Sequence, residues 1–475
     1  MGLWLSAVSE WDVARARILP AMALSACAGA AILAAPTGAG AAEPVPEYTV
    51  DGAQGPVTGS TRIIGLGGAF VSIAEDVDGI AKNPAAAAVR LPYSWHRWDT
   101  TFGIDFSVGG WLPHADFLNR GAAEDGTDVE QRSLLVGSLG GGLYYRHAGI
   151  GTAAQGQSQG LSRPADTAPG LAPTHLTGNF GIVHLSAAYG FFDGRLVVGA
   201  GPRIAGVSLS ARSSESGVLN VGGVGYQVGA VYKPTGGQFR VGAAYKSTVT
   251  PSLDTTAQET QVAYRTTALR LPWQAAVGVA YQFGPRPLNP PLVTAEELSS
   301  TLTRRSAHSR HMAEPRKEGA AASQTPETKA EATEARAEEL LYQAYLSRPR
   351  THLLVTAELL LLGASGDSVE LASYWGATSA ARLRVSGQNL TVSPRLGVET
   401  EVLPHWLRLR AGGYLEPARV RGARDRIHGT FGFDVKTFSW DVFGLIGRFD
   451  EWRLSAAADA ARHYLNTSFS LGFWH

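Results

Sequence analysis

The chain has 475 residues, and its 41 Lys and Arg are balanced by 41 Asp and Glu. A net charge of zero excludes the basic footprint of a nucleic-acid binder, and a single cysteine, Cys27, excludes a disulfide framework or a cysteine-based metal site. Glycine is abundant at 56 residues and charged residues are scarce at 17%, yet past the N-terminal region no apolar run approaches the ~18–20 residues of a spanning helix.

The chain opens on an export signal. Arg15 and Arg17 precede an apolar, small-residue stretch from Ile18 to Pro36, and Ala39-Gly40-Ala41 has the small-x-small pattern of a secretory cleavage site. Residues 1–41 read as the signal, with Glu10 and Asp12 out of place in its basic region and pointing to a start nearer Val13. Leu24-Ser25-Ala26-Cys27 offers a competing lipoprotein box, although the apolar stretch runs past Cys27 to the better site. Cleavage after Ala41 leaves a chain without cysteine, which suits an oxidising envelope compartment.

Residues 42–92 read as an N-terminal extension followed by a compact plug. The extension carries Glu43, Glu47 and Asp51. The segment Gly59 to Ala85 lacks clean alternation. Gly65, Gly67 and Gly68 permit close backbone approach, Phe70 follows them, and Asn83-Pro84 starts a turn.

From residue 93 onward the pattern has period two. Phe102, Ile104, Phe106 and Val108 alternate with Thr101, Gly103, Asp105 and Ser107. Val277, Val279, Tyr281 and Phe283, and later Leu465, Thr467, Phe469 and Leu471, repeat the pattern. One apolar and one polar or small face follow. A soluble β-sandwich would alternate likewise. Runs of ten or more residues, aromatics near run ends (Trp98, Trp111, Tyr232, Trp273, Tyr281, Trp406, Phe438, Trp440, Trp474) and a chain that finishes within a strand favour a transmembrane β-barrel instead.

Strands are expected near 98–110, 132–146, 148–160, 179–192, 194–210, 221–233, 238–250, 270–283, 351–363, 390–403, 405–416, 427–438, 440–449 and 463–474, fourteen in all. Tight turns at Arg146-His147, Asp193-Gly194, Pro234 to Gly237, Leu403 to His405 and Ser439 alternate with longer loops at 111–131, 161–178, 251–269, 364–389 and 417–426. Short turns face the periplasm in such barrels, which puts both termini there. Residues 284–350 break the pattern, being long on the short-turn side. Their Ser, Ala, Glu, Arg and Lys content reads as a low-complexity insertion, with a possible helix over Glu331 to Leu346. A tolerated insertion and a docking element for a periplasmic partner both fit.

The polar faces of three successive strands carry charge: Arg395, Glu399 and Glu401, then Arg408 and Arg410, then Asp434 and Lys436. Facing lipid, each would cost up to ~2–4 kcal/mol at mid-depth, so these faces are assigned to the lumen. They read either as an ion-pair ladder bracing the plug or as a receptor for a ligand carboxylate at Arg408 or Arg410. No Gly-x-Ser-x-Gly elbow, His-Glu-x-x-His pair or P-loop occurs, and the histidines are scattered, so no enzymatic activity, cofactor or metal is expected.

The block Gly65-Leu-Gly-Gly-Ala-Phe, followed by Ile73-Ala-Glu-Asp and Asn83-Pro84-Ala85, resembles the hatch of the FadL-type outer-membrane transporters. Leu271-Pro-Trp-Gln-Ala-Ala-Val-Gly-Val-Ala-Tyr, Ser393-Pro-Arg-Leu-Gly-Val-Glu and Arg410-Ala-Gly-Gly-Tyr-Leu-Glu-Pro417 resemble later segments of that family. The resemblance implies a fourteen-stranded barrel in the outer membrane of a Gram-negative bacterium, inserted by the barrel-assembly machinery and surrounded by outer-membrane lipid. It implies passive passage of a long-chain fatty acid or aromatic hydrocarbon past the hatch and out sideways through the wall. Gly65, Gly67, Gly68, Phe70, Asn83, Pro84 and Ala85 carry over as hatch residues bordering that route. The long extension and the 284–350 insertion depart from the family. A scaffold for envelope or surface proteins and a general diffusion porin are the competing readings.

Overall fold

Runs that alternate over ten or more positions pair into one closed sheet. The computed structural model describes residues 47–91, 95–110, 112, 115–121, 130–163, 174–211, 219–250, 265–312, 326–371, 373, 383–437 and 451–474. The expected export signal with Cys27, and the residues Trp111, Phe438 and Trp440, lie outside them.

The described strands are β1 (Glu47–Asp51), β2 (Trp98–Gly109), β3 (Glu130–Tyr145), β4 (Ala148–Arg163), β5 (Thr174–Phe191) and β6 (Leu196–Ala211). Then come β7 (Leu219–Tyr232), β8 (Phe239–Lys246), β9 (Arg265–Arg270), β10 (Gln274–Phe283), β11 (Leu353–Leu362) and β12 (Ser368–Glu370). The last are β13 (Val385–Ser386), β14 (Thr391–Leu403), β15 (Leu407–Glu416), β16 (Arg426–Lys436), β17 (Trp452–Ala461) and β18 (Tyr464–Phe473). Fourteen of them close a barrel in the order β10-β11-β14-β15-β16-β17-β18-β2-β3-β4-β5-β6-β7-β8. Every neighbouring pair is antiparallel, and β18 closes onto β2 with Phe469 opposite Phe106. Closure removes the free edges.

The two faces are inverted relative to a water-soluble protein. Ile104, Phe106, Val279, Phe431 and Phe469 point outward and are exposed, whereas Asp105, Gln157, Arg203, Glu399, Arg410 and Asp434 are buried inside. An exposed apolar belt of this extent has no stable place in water, and it suits hydrocarbon. Aromatic pairs ring one end of the belt. Trp98 meets Tyr145 at 4.5 Å, Tyr281 meets Phe283 at 4.7 Å and Tyr189 meets Phe191 at 5.0 Å between ring centroids. Trp474 is not part of this girdle. It is buried, with the Arg408 guanidinium 4.9 Å from its ring. Among the described residues no helix is long and apolar enough to cross a membrane.

Strand parity puts the start of β2 and the finish of β18 at one end of the barrel, the terminal end; the opposite end is the loop end. The expected strand at 440–449 lies outside the described residues, and the barrel position assigned to it is filled by β17 at Trp452–Ala461. The outward positions of β17 are Leu454, Ala456, Ala458 and Ala460. Alanine gives little contrast with the inward Ser455 and Ala457, so periodicity is faint there, while the larger residues of 440–449 attract the eye. The β17–β18 turn is Arg462-His463 at the loop end, and the β16–β17 connection, from 437 to 451, lies at the terminal end; the turn expected at Ser439 falls outside the described residues.

The first described strand, β1, falls in the stretch read as the N-terminal extension. It is the second-last member of a small loop-end sheet ordered β13-β12-β1-β9. The 284–350 insertion is not structureless: Ala295–Met312 and Pro326–Leu346 are helices. They pack on each other and on the terminal end, where Trp95 meets Tyr342 and Tyr345 edge-on at 6.3 Å and Arg146 pairs with Glu297 at 3.3 Å. Composition pointed to disorder because the helices bury little except Ala295, Ala337 and Tyr345, whereas the helix expected over Glu331 to Leu346 lies within the second of them.

Candidate functional site: the hatch and the luminal pocket

Residues 52–91 leave the loop-end sheet, descend into the lumen and fill it. Short elements build this hatch. Ser60 caps the helix Thr61–Gly65, its hydroxyl accepting from the Ile63 N–H. Gly67 and Gly68 then turn the chain with φ of +61° and +78°, a conformation glycine adopts without steric cost. A second short helix spans Asp76–Ile80, and Asn83 opens a 3₁₀ turn at Pro84–Ala88. Ile63, Ile64, Phe70, Ile73 and Ala85 are fully buried.

The hatch sits against bare wall. Inward positions of the facing strands are glycines, and a Cβ at Gly412 would lie 2.6 Å from Gly67 N, while one at Gly397 would lie 2.6 Å from Leu66 O. Gly199 faces Pro84 and Gly229 faces Asn83 in the same way. The carboxamide of Asn83 donates to the carbonyls of Val71 (2.9 Å), Ala230 (3.1 Å) and Ala243 (3.3 Å), while its oxygen accepts from Ala85 N–H (3.0 Å). One side chain therefore ties the hatch to itself, to β7 and to β8. Gly65 O accepts from Thr430, and the Arg62 guanidinium lies 5.4 Å from the Phe70 ring.

A chain of ion pairs crosses the lumen. Arg240 on β8 pairs with Glu75 (2.7 Å), Glu75 with Arg62 (2.9 Å), and Arg62 with Glu399 on β14 (2.9 Å). Glu399 continues to Arg410 on β15 (2.5 Å), which forms a two-pronged pair with Asp434 on β16. Asp434 also has Arg408 at 3.8 Å and Arg453 at 3.7 Å. In the hatch, burial works against ionisation of Glu75, but Arg240 and Arg62 hold its carboxyl down to about 2. Burial likewise opposes the charge on Arg62, and Glu399 and Glu75 outweigh it, raising its guanidinium above the ordinary arginine value.

The site residues expected from the sequence divide into groups. Glu399, Arg408, Arg410 and Asp434 come together. Arg410 has all three guanidinium nitrogens engaged, Nε by Glu399 and the two Nη by Asp434. Arg395 stands apart, 3.6 Å from Glu358 on β11. Lys436 is at the terminal end and pairs with Glu451 at 2.5 Å. Arg62, Glu75 and Glu358 were missed. Glu358 accepts from the backbone N–H of Phe70 (2.9 Å) and Val71 (2.8 Å), and its parity with Leu354 and Thr356 on an alternating strand was the available signal.

Between the descending segment 52–58, the hatch and the wall lies a cavity of about 110 Å³. Lys82, Lys246, Arg203 and His184 line it together with Phe180 and Leu360. Its one carboxylate, Glu358, is already engaged by the hatch and Arg395. Lys246 donates to Ala81 O at 2.5 Å and Arg203 reaches Pro272 O at 3.5 Å. Burial first, and then Arg395, push the Lys82 ammonium down to about 8. Among the described residues no group of His, Cys, Asp and Glu is placed to hold a metal ion.

No family model and no curated protein matches the chain. Among solved structures it is similar to the CymD monoaromatic hydrocarbon channel, at 12% identity and a TM-score of 0.46 over 89% of this chain and 97% of that chain. It is also similar to a Pseudomonas aeruginosa FadL homologue, at 12% identity and a TM-score of 0.39 over 89% and 99%. A deletion mutant of the TodX monoaromatic hydrocarbon channel gives 12% identity and a TM-score of 0.46 over 88% and 99%. A FadL homologue and two hydrocarbon channels are thus among the structures to which this hatch-filled barrel is similar.

Proposed function

We propose that the protein is an outer-membrane conduit that passes hydrophobic small molecules by passive, hatch-gated diffusion. The apolar outer belt supports a place in the membrane, and a hatch that fills the lumen argues against a general diffusion porin. The observation that carries the reading is the pocket left beside the hatch, where apolar Phe180 and Leu360 adjoin Lys82, Lys246 and Arg203 with no free carboxylate to balance them. Of the two cargo classes, long-chain fatty acids and aromatic hydrocarbons, this surplus of cations favours the acid, whose carboxylate would stand against the ammonium groups.

The exit follows from a fault in the wall beside that pocket. The β5–β6 ladder runs to His184 opposite Arg203, stops, and resumes at Ala187 opposite Ala200. Pro202 lies in the gap and has no N–H to give. Gln227 fills in from β7, donating to Leu185 O (3.2 Å) and Ser186 Oγ (3.0 Å), while its oxygen meets His184 at 2.9 Å. A seam held by one side chain rather than by the ladder is the natural place for cargo to leave sideways into lipid.

The test is uptake of a labelled long-chain fatty acid into a transport-deficient host. The intact protein is compared with an Asn83→Ala, Pro84→Ala variant at equal amounts of heat-modifiable barrel. Uptake by the intact protein that the variant loses is the expected result. A correctly folded barrel that takes up neither the acid nor a hydrocarbon sinks the reading.

A further inference from the structure

The loop end carries a small sheet that three separate chain segments build. β9 comes from the connection between β8 and β10, and β12 and β13 come from the connection between β11 and β14. These two connections pair as strands through β1, which lies parallel between them, and Arg270 adds one side-chain bond to Ser365 O at 3.2 Å. Thr49, Val50 and Asp51 stand opposite Ser368, Val369 and Glu370 on one side, and Glu47 to Asp51 run beside Arg265 to Arg270 on the other. Asp51 fastens the arrangement. Its carboxylate accepts from Ser365 Oγ (2.8 Å), Ser386 Oγ (2.9 Å) and Arg419 Nε (3.0 Å), so it also reaches the β15–β16 connection.

The same segment continues without a break into the pocket and the hatch. Gly52 N–H donates to Arg270 O at 2.8 Å. Gly52, Ala53, Gln54 and Val57 then line the pocket, Val57 N–H donates to Tyr414 at 3.1 Å, and the first hatch helix begins at Thr61. β1 has five residues where the barrel strands have eight to eighteen, and short, peripheral elements open at lower free energy than a barrel wall. Lid, pocket lining and hatch are one covalent strap, so release of the strand must move the lining of the pocket.

We propose that β1 is the gate of the loop-end mouth: its release from between β9 and β12 opens the route to the luminal pocket. The inference rests on the transport reading above and adds to it that cargo enters from the loop end. It differs from a rigid mouth through which cargo passes between fixed loops.

Two measurements test it. In a Cys27→Ser background, Ala276→Cys places a thiol in the pocket lining, and its alkylation by a water-soluble maleimide is timed in the folded, full-length barrel. Asp51→Ala removes the fastening and deletion of Glu47–Asp51 removes the strand. Each should speed labelling by about tenfold or more, the change expected from losing hydrogen bonds to a buried charged group. Equal labelling rates in all three proteins overturn the gate, whatever the cargo. Separately, Thr49→Cys with Ser368→Cys, at positions that are strand partners, should form a disulfide that holds β1 in place. Uptake should stop in the oxidised protein and return on reduction. Uptake that persists with the disulfide formed overturns the gate, whereas absence of uptake in the reduced protein counts against the transport reading, and the labelling rates then decide the gate alone.

Discussion

Arg62 of the hatch and Glu399 of β14 meet in a two-pronged pair, with Nε at 2.9 Å and Nη2 at 3.0 Å from the two carboxylate oxygens. Neither partner has water to fall back on, since both side chains are nearly enclosed. Removing one leaves the other with a single partner, Glu75 for Arg62 or Arg410 for Glu399. Arg62→Met or Glu399→Gln should each weaken the seating of the hatch by about 3 kcal/mol, the low end of what breaking a buried pair costs, and the double variant should be less damaged than the sum of the two. Amide exchange across residues 61–88, read at fixed barrel content, measures this.

The wall glycines make a steric prediction with a built-in control. Gly412→Ala puts a methyl group 2.6 Å from Gly67 N and Leu66 C, which should cost about 1–3 kcal/mol and lift the hatch from β15. Gly429→Ala on the next strand meets nothing within 4 Å and should be neutral. Limited proteolysis of the hatch should separate the two, and equal resistance would show that the close seat does not hold it.

Lys82 makes a pH prediction. Its folded value of about 8 lies below the ordinary 10.5, so between those pH values the unfolded chain binds more protons than the folded one. Charged Lys82 penalises the folded state fully below pH 8, and the penalty fades as pH rises towards 10.5. A bound carboxylate needs the charged form. Affinity for a fatty acid should therefore fall as pH climbs past about 8, with the midpoint displaced upward by the ligand, while its methyl ester shows no such fall. Identical pH profiles for acid and ester would remove Lys82 from the site.

The seam between β5 and β6 predicts a separation of binding from transport. Ala187→Cys with Ala200→Cys joins the strand partners that flank the gap, and the disulfide should leave ligand binding to purified protein intact while abolishing uptake. Undiminished uptake through a sealed seam would send the exit elsewhere.

The helical hairpin predicts an absence of effect on the barrel. Its described contacts include Trp95, His96, Arg97 and Arg146 at the terminal end and Arg350 at its own base. The preceding strap is different, because Leu288 and Asn289 accept from Arg240 at 2.8 and 2.6 Å. Replacing residues 296–345 with a short flexible linker should preserve heat-modifiable barrel and uptake. Asn289→Ala should impair both, because Arg240 also anchors Glu75.

The barrel was legible in the alternation of the strands. Alternation fixes which face of each strand meets lipid, because a one-residue slip would turn Glu399 or Asp434 into hydrocarbon, and thirteen of the expected strand positions follow from it. It failed at β17, where the outward alanines carry too little contrast to announce a face. The hatch was legible too, because Gly67, Gly68 and Asn83 are residues whose backbone freedom or turn chemistry is visible locally.

The pairing of side chains across the lumen follows from folding and has no local signature. Arg62 and Glu399 are 337 residues apart, and no local pattern couples them. Arg410 was legible as a luminal charge but not as one consumed by Asp434 and Glu399, and the cations of the pocket were not legible as a group because Lys82, Arg203 and Lys246 come from the hatch, β6 and β8. The placing of β1 is the clearest case. Five residues between two distant loops have no periodicity to read, and their position is set by the closure of the barrel, which brings the two connections close enough for one strand to span them.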